Sequence, residues 1–224
     1  MWYNCFNRGD YIVNNDYIFD INKIIEKLKI RRPIFVSEAD FQLEIAWIIR
    51  EAYPNAKVKL EYCPQFNMNM HIDILVVIDN KWIPIELKYK TKICSKIVDN
   101  EIYNLKNQSA SDLGCYYYLK DIERIEKIKN KEKLFSKGYT IFLTNDMIYI
   151  NGLKDYNNYN EFSLKNGNIK NGIMNFKREP KGISKADKEI INLNGKYKID
   201  WKDYSFIDNS NSGTFKILVN EIEK

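Results

Sequence analysis

Apolar residues recur at helical spacing near the start of the chain, and the pattern changes to strand-like runs further on. Between Asp16 and Ile30 the apolar positions follow mostly helical spacing up to an Arg-Arg-Pro sequence, which predicts an amphipathic helix that ends there. A second helix is expected to begin at Ser37, a residue type favoured as an N-cap, and to end before Pro54. The apolar stripe of this second helix comprises Phe41, Ile45, Ile48 and Ala52.

Three apolar runs of strand length follow this helix, at Ala56 to Cys63, His71 to Ile78 and Lys81 to Tyr89. Asp79 and Asn80 alone separate the second run from the third. Both are good turn residues, so we expect these two runs to pair as an antiparallel hairpin.

The middle of the chain is expected to return to helix and then to strand. A long helix is predicted over about Asp99 to Lys129, followed by a buried strand from Gly138 to Asp146, and residues 147–150 are a candidate for a short return strand. The order of elements from Ser37 to Asp146 is then α-β-β-β-α-β, which indicates the α/β (α+β) class.

The last part of the chain has a different amino-acid composition. From residue 155 it is rich in Asn, Gly and Tyr, which predicts short strands and turns, with one more strand near the end. We therefore divide the chain into an N-terminal helical extension over residues 1–36, a core over residues 37–154 and a β-rich C-terminal extension over residues 155–224 that packs on the core.

The composition limits the classes of protein that the chain can represent. Its 224 residues are 45% apolar, enough for a sizeable core, and its net charge of +5 permits a polyanionic partner without requiring one. Its four cysteines and single histidine show no zinc-ligand spacing, so we expect free thiols in a reducing cytoplasm. No apolar run approaches the roughly 20 residues of a membrane span, and we expect no membrane partner.

Three charged residues interrupt the predicted hairpin where a buried sheet should be apolar. Asp73 lies within its first strand, and Glu86 and Lys88 lie near the end of its second. Side chains alternate between the faces of a strand, so Glu86 and Lys88 share a face, and antiparallel pairing brings Asp73 to the same end of the hairpin. If the faces match, two carboxylates and an ammonium group converge, which is the set that Mg²⁺ and a phosphodiester require.

An acidic residue two positions before a lysine is a weak signal on its own. This spacing occurs four times, at positions 79–81, 86–88, 179–181 and 200–202. Three of these lie in turn-like or polar sequence, where a solvated ion pair is expected. Only Glu86 and Lys88 end an apolar strand that follows another apolar strand interrupted by an aspartate, so the context singles out this pair.

The segments SEADFQLEIAW, HIDILVV and IPIELKYK, in that order, resemble the catalytic core of the PD-(D/E)XK nuclease superfamily, which has the restriction-endonuclease-like fold. The resemblance covers residues 37–146, about half of the chain, and includes the 13-residue step from Asp73 to Glu86. The core of that superfamily has the same αβββαβ order. Two departures are Ile72, where the family name has proline, and Pro84 within the third strand.

The resemblance implies a mixed central sheet flanked by helices and a Mg²⁺-dependent nuclease that cleaves phosphodiester bonds in DNA, with Mn²⁺ as a substitute. Asp73 and Glu86 would be metal ligands, and the carbonyl of Leu87 would add another. Lys88 would be the catalytic lysine and would position the attacking water.

Further site residues are implied by the same resemblance. Many members carry an acidic residue on the helix before the first strand, and here Glu38 and Glu44 flank the apolar stripe at similar angles. Glu38 is preferred because it stands at the helix start, where the helix dipole also favours a glutamate without any role in catalysis. Gln108 is either a catalytic residue on the next helix, facing the site, or a helix-surface residue. Lys90 and Lys92 are candidates for contact with backbone phosphate, with a solvated strand end as the alternative for Lys92.

Two other functions fit the same residues. A nucleic-acid-binding or regulatory module could keep the fold without turnover, although such a module would be expected to lose one of the three charges. A structural cluster of ion pairs in an unrelated α/β fold explains Glu86 with Lys88 better than it explains Asp73. A homodimer is compatible with the sequence.

Overall fold

The structure, a computed structural model, describes residues 19–108, 110–179 and 189–224, which form a mixed α/β fold. The α-helices in these residues are α1 (Ile21–Arg31), α2 (Glu38–Ala52), α3 (Ser111–Lys131) and α4 (Met147–Asn151). The strands are β1 (Lys57–Tyr62), β2 (Ile72–Ile78), β3 (Lys81–Lys90), β4 (Cys94–Val98), β5 (Glu101–Leu105), β6 (Lys137–Thr144), β7 (Ile169–Met174), β8 (Ile191–Lys198), β9 (Lys202–Phe206) and β10 (Thr214–Glu223). A short 3₁₀-helix covers Asn160–Phe162. None of the helices in the described ranges is long and apolar enough to cross a membrane.

Six strands of the described residues form one mixed central sheet in the order β1-β2-β3-β6-β10-β9. β3 and β6 run parallel, and the other neighbours in this sheet are antiparallel. Two further two-stranded antiparallel sheets pair β4 with β5 and β7 with β8. The expected α/β class and mixed central sheet are confirmed. β9 and β10, from the last part of the chain, complete one edge of that sheet.

Helices lie on both faces of the central sheet. α1 and α2 pack on one face through an apolar cluster that includes Leu28, Phe41 and Ile45. α3 packs on the other face through a second cluster that includes Leu119 and Ile122. The sheet therefore separates two apolar layers, and any charged side chain on it must find a partner within one of them.

The boundaries of the first two helices follow from capping residues. Asp20 caps α1, and Ser37 caps α2 by accepting a hydrogen bond from the backbone N–H of Asp40. α2 ends before Pro54, as predicted. α1 begins directly after Asp20, later than predicted, because the cap sets its start; predicted positions 16–18 lie outside the described residues.

β2 and β3 form the predicted hairpin. Asp79 and Asn80 both have positive φ, 49° and 62°, which is the conformation of a type I′ turn. The ladder between the two strands runs from this turn as far as Ile74 with Ile85. β3 then continues to Lys90, so its last residues extend past the end of the ladder.

Pro84 lies in β3 without interrupting the strand. It stands opposite Leu75 of β2, and the parallel ladder with β6 begins one residue later, at Ile85 with Tyr139. Because the missing N–H lies ahead of the β6 ladder, β3 remains regular.

The predicted helix over about Asp99 to Lys129 is wrong in its first part. Residues 94–105 form the β4–β5 hairpin, and α3 begins only at Ser111. Asp99 and Asn100 make the turn of this hairpin, with φ of 50° and 65°. The dipeptide and its conformation are those of the β2–β3 turn, and they favour two short strands over a continuous helix.

The return strand considered for residues 147–150 is also wrong. This segment belongs to helix α4, which Asp146 caps by accepting a hydrogen bond from the backbone N–H of Ile148. An aspartate in this position satisfies a free N–H group of the first turn, so it starts a helix. The short strands expected after residue 155 are present as β7, β8 and β9, and the expected last strand is β10.

The cysteines in the described part of the chain form no disulfide. Cys63, Cys94 and Cys115 are free thiols, as expected. Cys5 lies outside the described residues.

Candidate functional site

The candidate site lies where β2 and β3 separate. Past the last paired residues of their ladder, two N–H groups of β3 donate to carboxylates instead of to a strand. Asp73 Oδ2 accepts a hydrogen bond from the Leu87 N–H at 2.6 Å, and Glu38 Oε2 accepts one from the Tyr89 N–H at 2.7 Å. Both carboxylates therefore line the gap beside the end of β3.

The start of helix α2 brings Glu38 to this gap. Glu44, the alternative acidic residue on the same helix, binds elsewhere: its carboxylate lies 3.1 Å from Arg31 Nε and 3.7 Å from Arg32 Nη1. Of the two glutamates considered, the structure thus joins Glu38 to the end of β3 and leaves Glu44 in an ion-pair cluster with α1.

The carbonyl of Leu87 faces the same gap. The N–H and C=O of one strand residue point to the same side, and the Leu87 N–H meets Asp73. Lys88 Nζ donates to the Leu87 carbonyl oxygen at 3.3 Å. The backbone oxygen that the resemblance implies as a ligand is therefore next to the Asp73 carboxylate.

Helix α3 contributes two charged residues that the sequence did not single out. Asp121 Oδ2 lies 2.7 Å from Lys88 Nζ. Arg124 Nη1 donates to Glu86 Oε2 at 2.8 Å and lies 3.4 Å from Asp121 Oδ1. Glu86, Arg124, Asp121 and Lys88 thus form a continuous series of alternating charges between β3 and α3, and Glu86 and Lys88 share a face of β3 as predicted.

Glu86 is the most buried member of this series, with 1% of its surface exposed. Its second oxygen, Oε1, is buried and makes no hydrogen bond with any described residue. Burial, and after it the charge of Asp121, raises the pKa of Glu86 well above its ordinary value. A buried carboxylate oxygen that no described protein group partners is a position where an entering cation or hydrogen-bond donor gains a full interaction.

The environment shifts the pKa values of Asp73 and Lys88 for different reasons. Burial raises the pKa of Asp73 to about 6, although the Leu87 hydrogen bond and the Lys88 charge both lower it. Burial is the largest single effect on Lys88 and lowers its pKa, but the attraction of Asp121, Glu38 and Asp73 together outweighs burial, so the pKa of Lys88 is raised. Lys88 is therefore a protonated ammonium at neutral pH, which can donate a hydrogen bond but cannot act as a general base.

The site contains more acidic than basic groups. Its two cations are Lys88 and Arg124. Its four carboxylates are those of Glu38, Asp73, Glu86 and Asp121. Excess negative charge in a partly desolvated position is relieved by bound protons or by a bound cation.

The donor atoms are those of a hard divalent cation. Carboxylate and carbonyl oxygens suit Mg²⁺ or Mn²⁺, and Asp73, Glu86 and Leu87 supply them, with a free oxygen on Glu86. In the present arrangement no three Asp, Glu, His or Cys side chains of the described residues are grouped so that they could hold a metal ion. Glu86 is engaged by Arg124 instead, so a metal would enter by rearranging that ion pair.

A cavity of about 340 Å³ gives access to the site. Its lining residues are Asn67, Asn69, Met70, His71, Asp73 and Arg124. The first four belong to the connection between β1 and β2, and none of them is acidic. The cavity therefore joins solvent to the carboxylate of Asp73 and the guanidinium of Arg124.

The remaining predicted residues lie around the end of β3. The prediction that Gln108 lies on a helix is wrong. Gln108 lies in the loop before α3, where its side-chain oxygen accepts a hydrogen bond from the Thr91 N–H at 2.9 Å. Lys90 ends β3 on the face of Glu86 and Lys88, and its side chain is half-buried. Lys92 is exposed just past the strand.

The two residues that sequence reasoning missed carry a signal of their own. In α3, Asp121 follows Tyr118 by three positions and precedes Ile125 by four, and both neighbours are fully buried. A charged residue in the apolar stripe of a helix is expected to have a buried partner. Arg124 lies one turn further on, within the same charged run, and only the docking of α3 on β3 shows that it meets Glu86.

Comparison of the chain with known protein families, characterised proteins and solved structures finds no match.

Proposed function

We propose that the protein is a metal-dependent nuclease that hydrolyses phosphodiester bonds in DNA on a restriction-endonuclease-like fold. The observation that carries this proposal is the buried carboxylate of Glu86, whose free oxygen lies in a site with Asp73 and the protonated Lys88. Replacing buried ion pairs by well-packed apolar residues is often neutral or stabilising, so stability alone explains this set of buried charges poorly.

Asp73, Glu86 and the Leu87 carbonyl would hold the metal, with Glu38 beside them. A bound Mg²⁺ would polarise the phosphate and lower the pKa of a coordinated water. The carboxylates of this chain also hold the end of β3 in place, since Asp73 and Glu38 accept from its backbone N–H groups. The ligands are thereby fixed relative to the strand that carries Glu86 and Lys88.

Lys88 would position the attacking water and stabilise charge on the phosphate. Asp121 and the Leu87 carbonyl bind its Nζ, so the ammonium is oriented before substrate arrives. In the reaction the water oxygen forms a bond to phosphorus and releases a proton to solvent, and the bond from phosphorus to one ester oxygen breaks. The released oxygen takes up a proton and leaves as a hydroxyl, and the other fragment keeps a terminal phosphate.

The order of elements supports the fold in this proposal. α2, β1, β2, β3, α3 and β6 follow one another as αβββαβ, the order of the nuclease core. The β4–β5 hairpin is inserted between β3 and α3, so it extends that core without changing its order. A homodimer stays a prediction.

The test is a cleavage assay with labelled single-stranded, duplex and branched DNAs and a matched RNA, each with Mg²⁺, Mn²⁺ or EDTA. Asp73→Asn keeps an oxygen for the Leu87 N–H but removes the charge, and we expect it to reduce cleavage by at least about 100-fold. Asp79→Asn is the matched control, because it makes the same substitution in the same hairpin, and Asp79 has the acidic-x-lysine spacing of Glu86 and Lys88 but lies exposed in the β2–β3 turn. Equal loss in both variants, or full activity in Asp73→Asn, would remove the basis of the proposal.

A second function is favoured by one observation: Glu86 and Lys88 are already neutralised within the protein, by Arg124 and Asp121. A module that binds nucleic acid without turnover would keep such internal pairs. Calorimetric titration with Mn²⁺ separates the two functions. Binding that Asp73→Asn abolishes favours the nuclease, whereas DNA binding without any carboxylate-dependent metal binding favours the module.

A further inference from the structure

The guanidinium of Arg124 lies between the interior of the site and its access cavity. Nη1 donates to Glu86 Oε2 at 2.8 Å and is 3.4 Å from Asp121 Oδ1. The side chain of Arg124 is 36% exposed, whereas those of Glu86 and Asp121 are 1% and 2% exposed. Arg124 also lines the cavity that reaches Asp73. It is thus the partner in this ion pair that can leave, because solvent already reaches it.

Glu86 needs a cation in every state in which it is ionised. Its pKa is raised by burial and then by Asp121, and Arg124 is the first of the groups that oppose this rise. A divalent metal that reaches the free Oε1 of Glu86 would supply the same neutralisation with twice the charge. The metal and the guanidinium would then repel each other across one carboxylate group.

We propose that Arg124 is an exchangeable counter-ion, which neutralises Glu86 in the metal-free protein and is displaced towards the cavity when a divalent metal binds. There it binds a phosphate oxygen of the nucleic acid. This inference rests on the proposed nuclease function, because it uses the same metal site.

The chemistry of the side chain fits both positions. A guanidinium binds carboxylates and phosphates through the same planar fork of N–H donors, and it remains charged in either place. Its helix fixes only the backbone, so rotation of the long side chain is sufficient for the exchange. As a result, metal binding would strengthen the binding of nucleic acid in two ways. The metal itself contacts phosphate, and the displaced Arg124 adds a second contact with phosphate.

The first test is metal affinity, measured by calorimetric titration with Mn²⁺ at pH 8. Arg124→Gln removes the competing cation, so we expect it to bind Mn²⁺ about three- to tenfold more tightly than the wild type. Lys127→Gln is the matched control, since Lys127 is one turn further along α3 and its exposed side chain pairs with Glu123, away from Glu86. Its Mn²⁺ affinity should equal that of the wild type. Equal or weaker Mn²⁺ binding in Arg124→Gln would show that Arg124 is a fixed support for Glu86 and overturn the inference.

The second test is affinity for a labelled DNA duplex, measured by fluorescence anisotropy with Ca²⁺ and with EDTA. In the wild type, Ca²⁺ should raise the affinity for DNA, and in Arg124→Gln this gain should be about tenfold smaller. The affinity of Arg124→Gln for DNA in EDTA should change little. Arg124→Lys keeps the charge but not the fork, so it should keep Mn²⁺ affinity within about twofold of the wild type and lose part of this gain. If Arg124→Gln does not fold, Arg124→Lys alone tests the exchange. A full metal-dependent gain in either variant would contradict the exchange.

These measurements separate the two proposals. If the wild type binds no Mn²⁺, the nuclease function itself fails and the exchange fails with it. If the wild type binds Mn²⁺ through Asp73 but Arg124→Gln binds it no more tightly, only the exchange fails.

Discussion

Asp73 should lower the stability of the folded protein at neutral pH. Its carboxyl group is partly buried, and burial raises its pKa from an ordinary value of 3.8 to about 6. A carboxyl group whose pKa is higher in the folded than in the unfolded state binds its proton more tightly in the folded state. Stability is therefore greatest below pH 4 as far as this group is concerned, and it falls as the pH rises towards 6. Asp73→Asn removes this ionisable group, so the gain in stability from the substitution should appear only at the higher pH.

The magnitude follows from the difference between the two pKa values. At about 1.4 kcal/mol per pH unit, the rise from 3.8 to about 6 corresponds to up to about 3 kcal/mol of stability lost above pH 6. An asparagine can still accept the Leu87 N–H through its amide oxygen, so the backbone of β3 keeps its partner. We therefore expect Asp73→Asn to be more stable than the wild type by about 1–3 kcal/mol at pH 7.5, and by little at pH 4.

The assay is urea unfolding followed by circular dichroism at pH 4 and pH 7.5, in EDTA so that no metal contributes. Asp79→Asn is the control, because Asp79 is exposed in a turn whose positive φ asparagine also adopts. Its effect should be small and the same at both pH values. If Asp73→Asn is no more stable at pH 7.5, or if its effect is equal at the two pH values, then burial does not destabilise this carboxylate and our reading of its electrostatics is wrong.

Three further predictions test other parts of the molecule. Glu86→Gln should weaken Mn²⁺ binding by at least about tenfold in calorimetry, because a neutral amide is a poorer ligand than a carboxylate; unchanged affinity would exclude Glu86 as a ligand. Asp121→Asn removes the main group that raises the pKa of Lys88, so the alkaline limb of the pH–rate profile should move to lower pH with KM little changed; a fixed limb would show that Lys88 does not titrate there. Asn100→Gly should stabilise the protein by about 0.5 kcal/mol in urea unfolding, since glycine suits the φ of 65°; destabilisation would contradict the turn type.

Local chemistry made much of the fold predictable from the sequence. Ser37 and Pro54 bound α2, and the Asp79-Asn80 turn joins β2 to β3, because capping and turn preferences act over a few residues. Asp99-Asn100 is the same dipeptide, and the structure gives both turns the same conformation, so the helix predicted from Asp99 is wrong there. Such a dipeptide therefore favours a turn even within a segment for which a helix is predicted.

The candidate site was predictable only on the strands. Alternation along β3 puts Glu86 and Lys88 on one face, and hairpin pairing brings Asp73 to the same end. Asp121 and Arg124 lie on α3, whose rotation and position against the sheet depend on the packing of the whole apolar layer. Sequence spacing within α3 shows that Asp121 is in the buried stripe, but not which strand residue it meets.

Where β2 and β3 separate, the same two side chains serve the stability of the sheet and the chemistry proposed for the site. Once the strands part, the N–H groups of Leu87 and Tyr89 need acceptors, and Asp73 and Glu38 provide them. Removing either side chain with alanine therefore takes away a backbone partner and a carboxylate together, and lost activity in such a variant would have two explanations. Replacement by the amide keeps the acceptor and removes the charge. The comparison of Glu38→Gln with Glu38→Ala thus separates the two roles: a nuclease that needs this carboxylate should lose activity in both variants, whereas a purely structural acceptor should lose it only in the alanine variant.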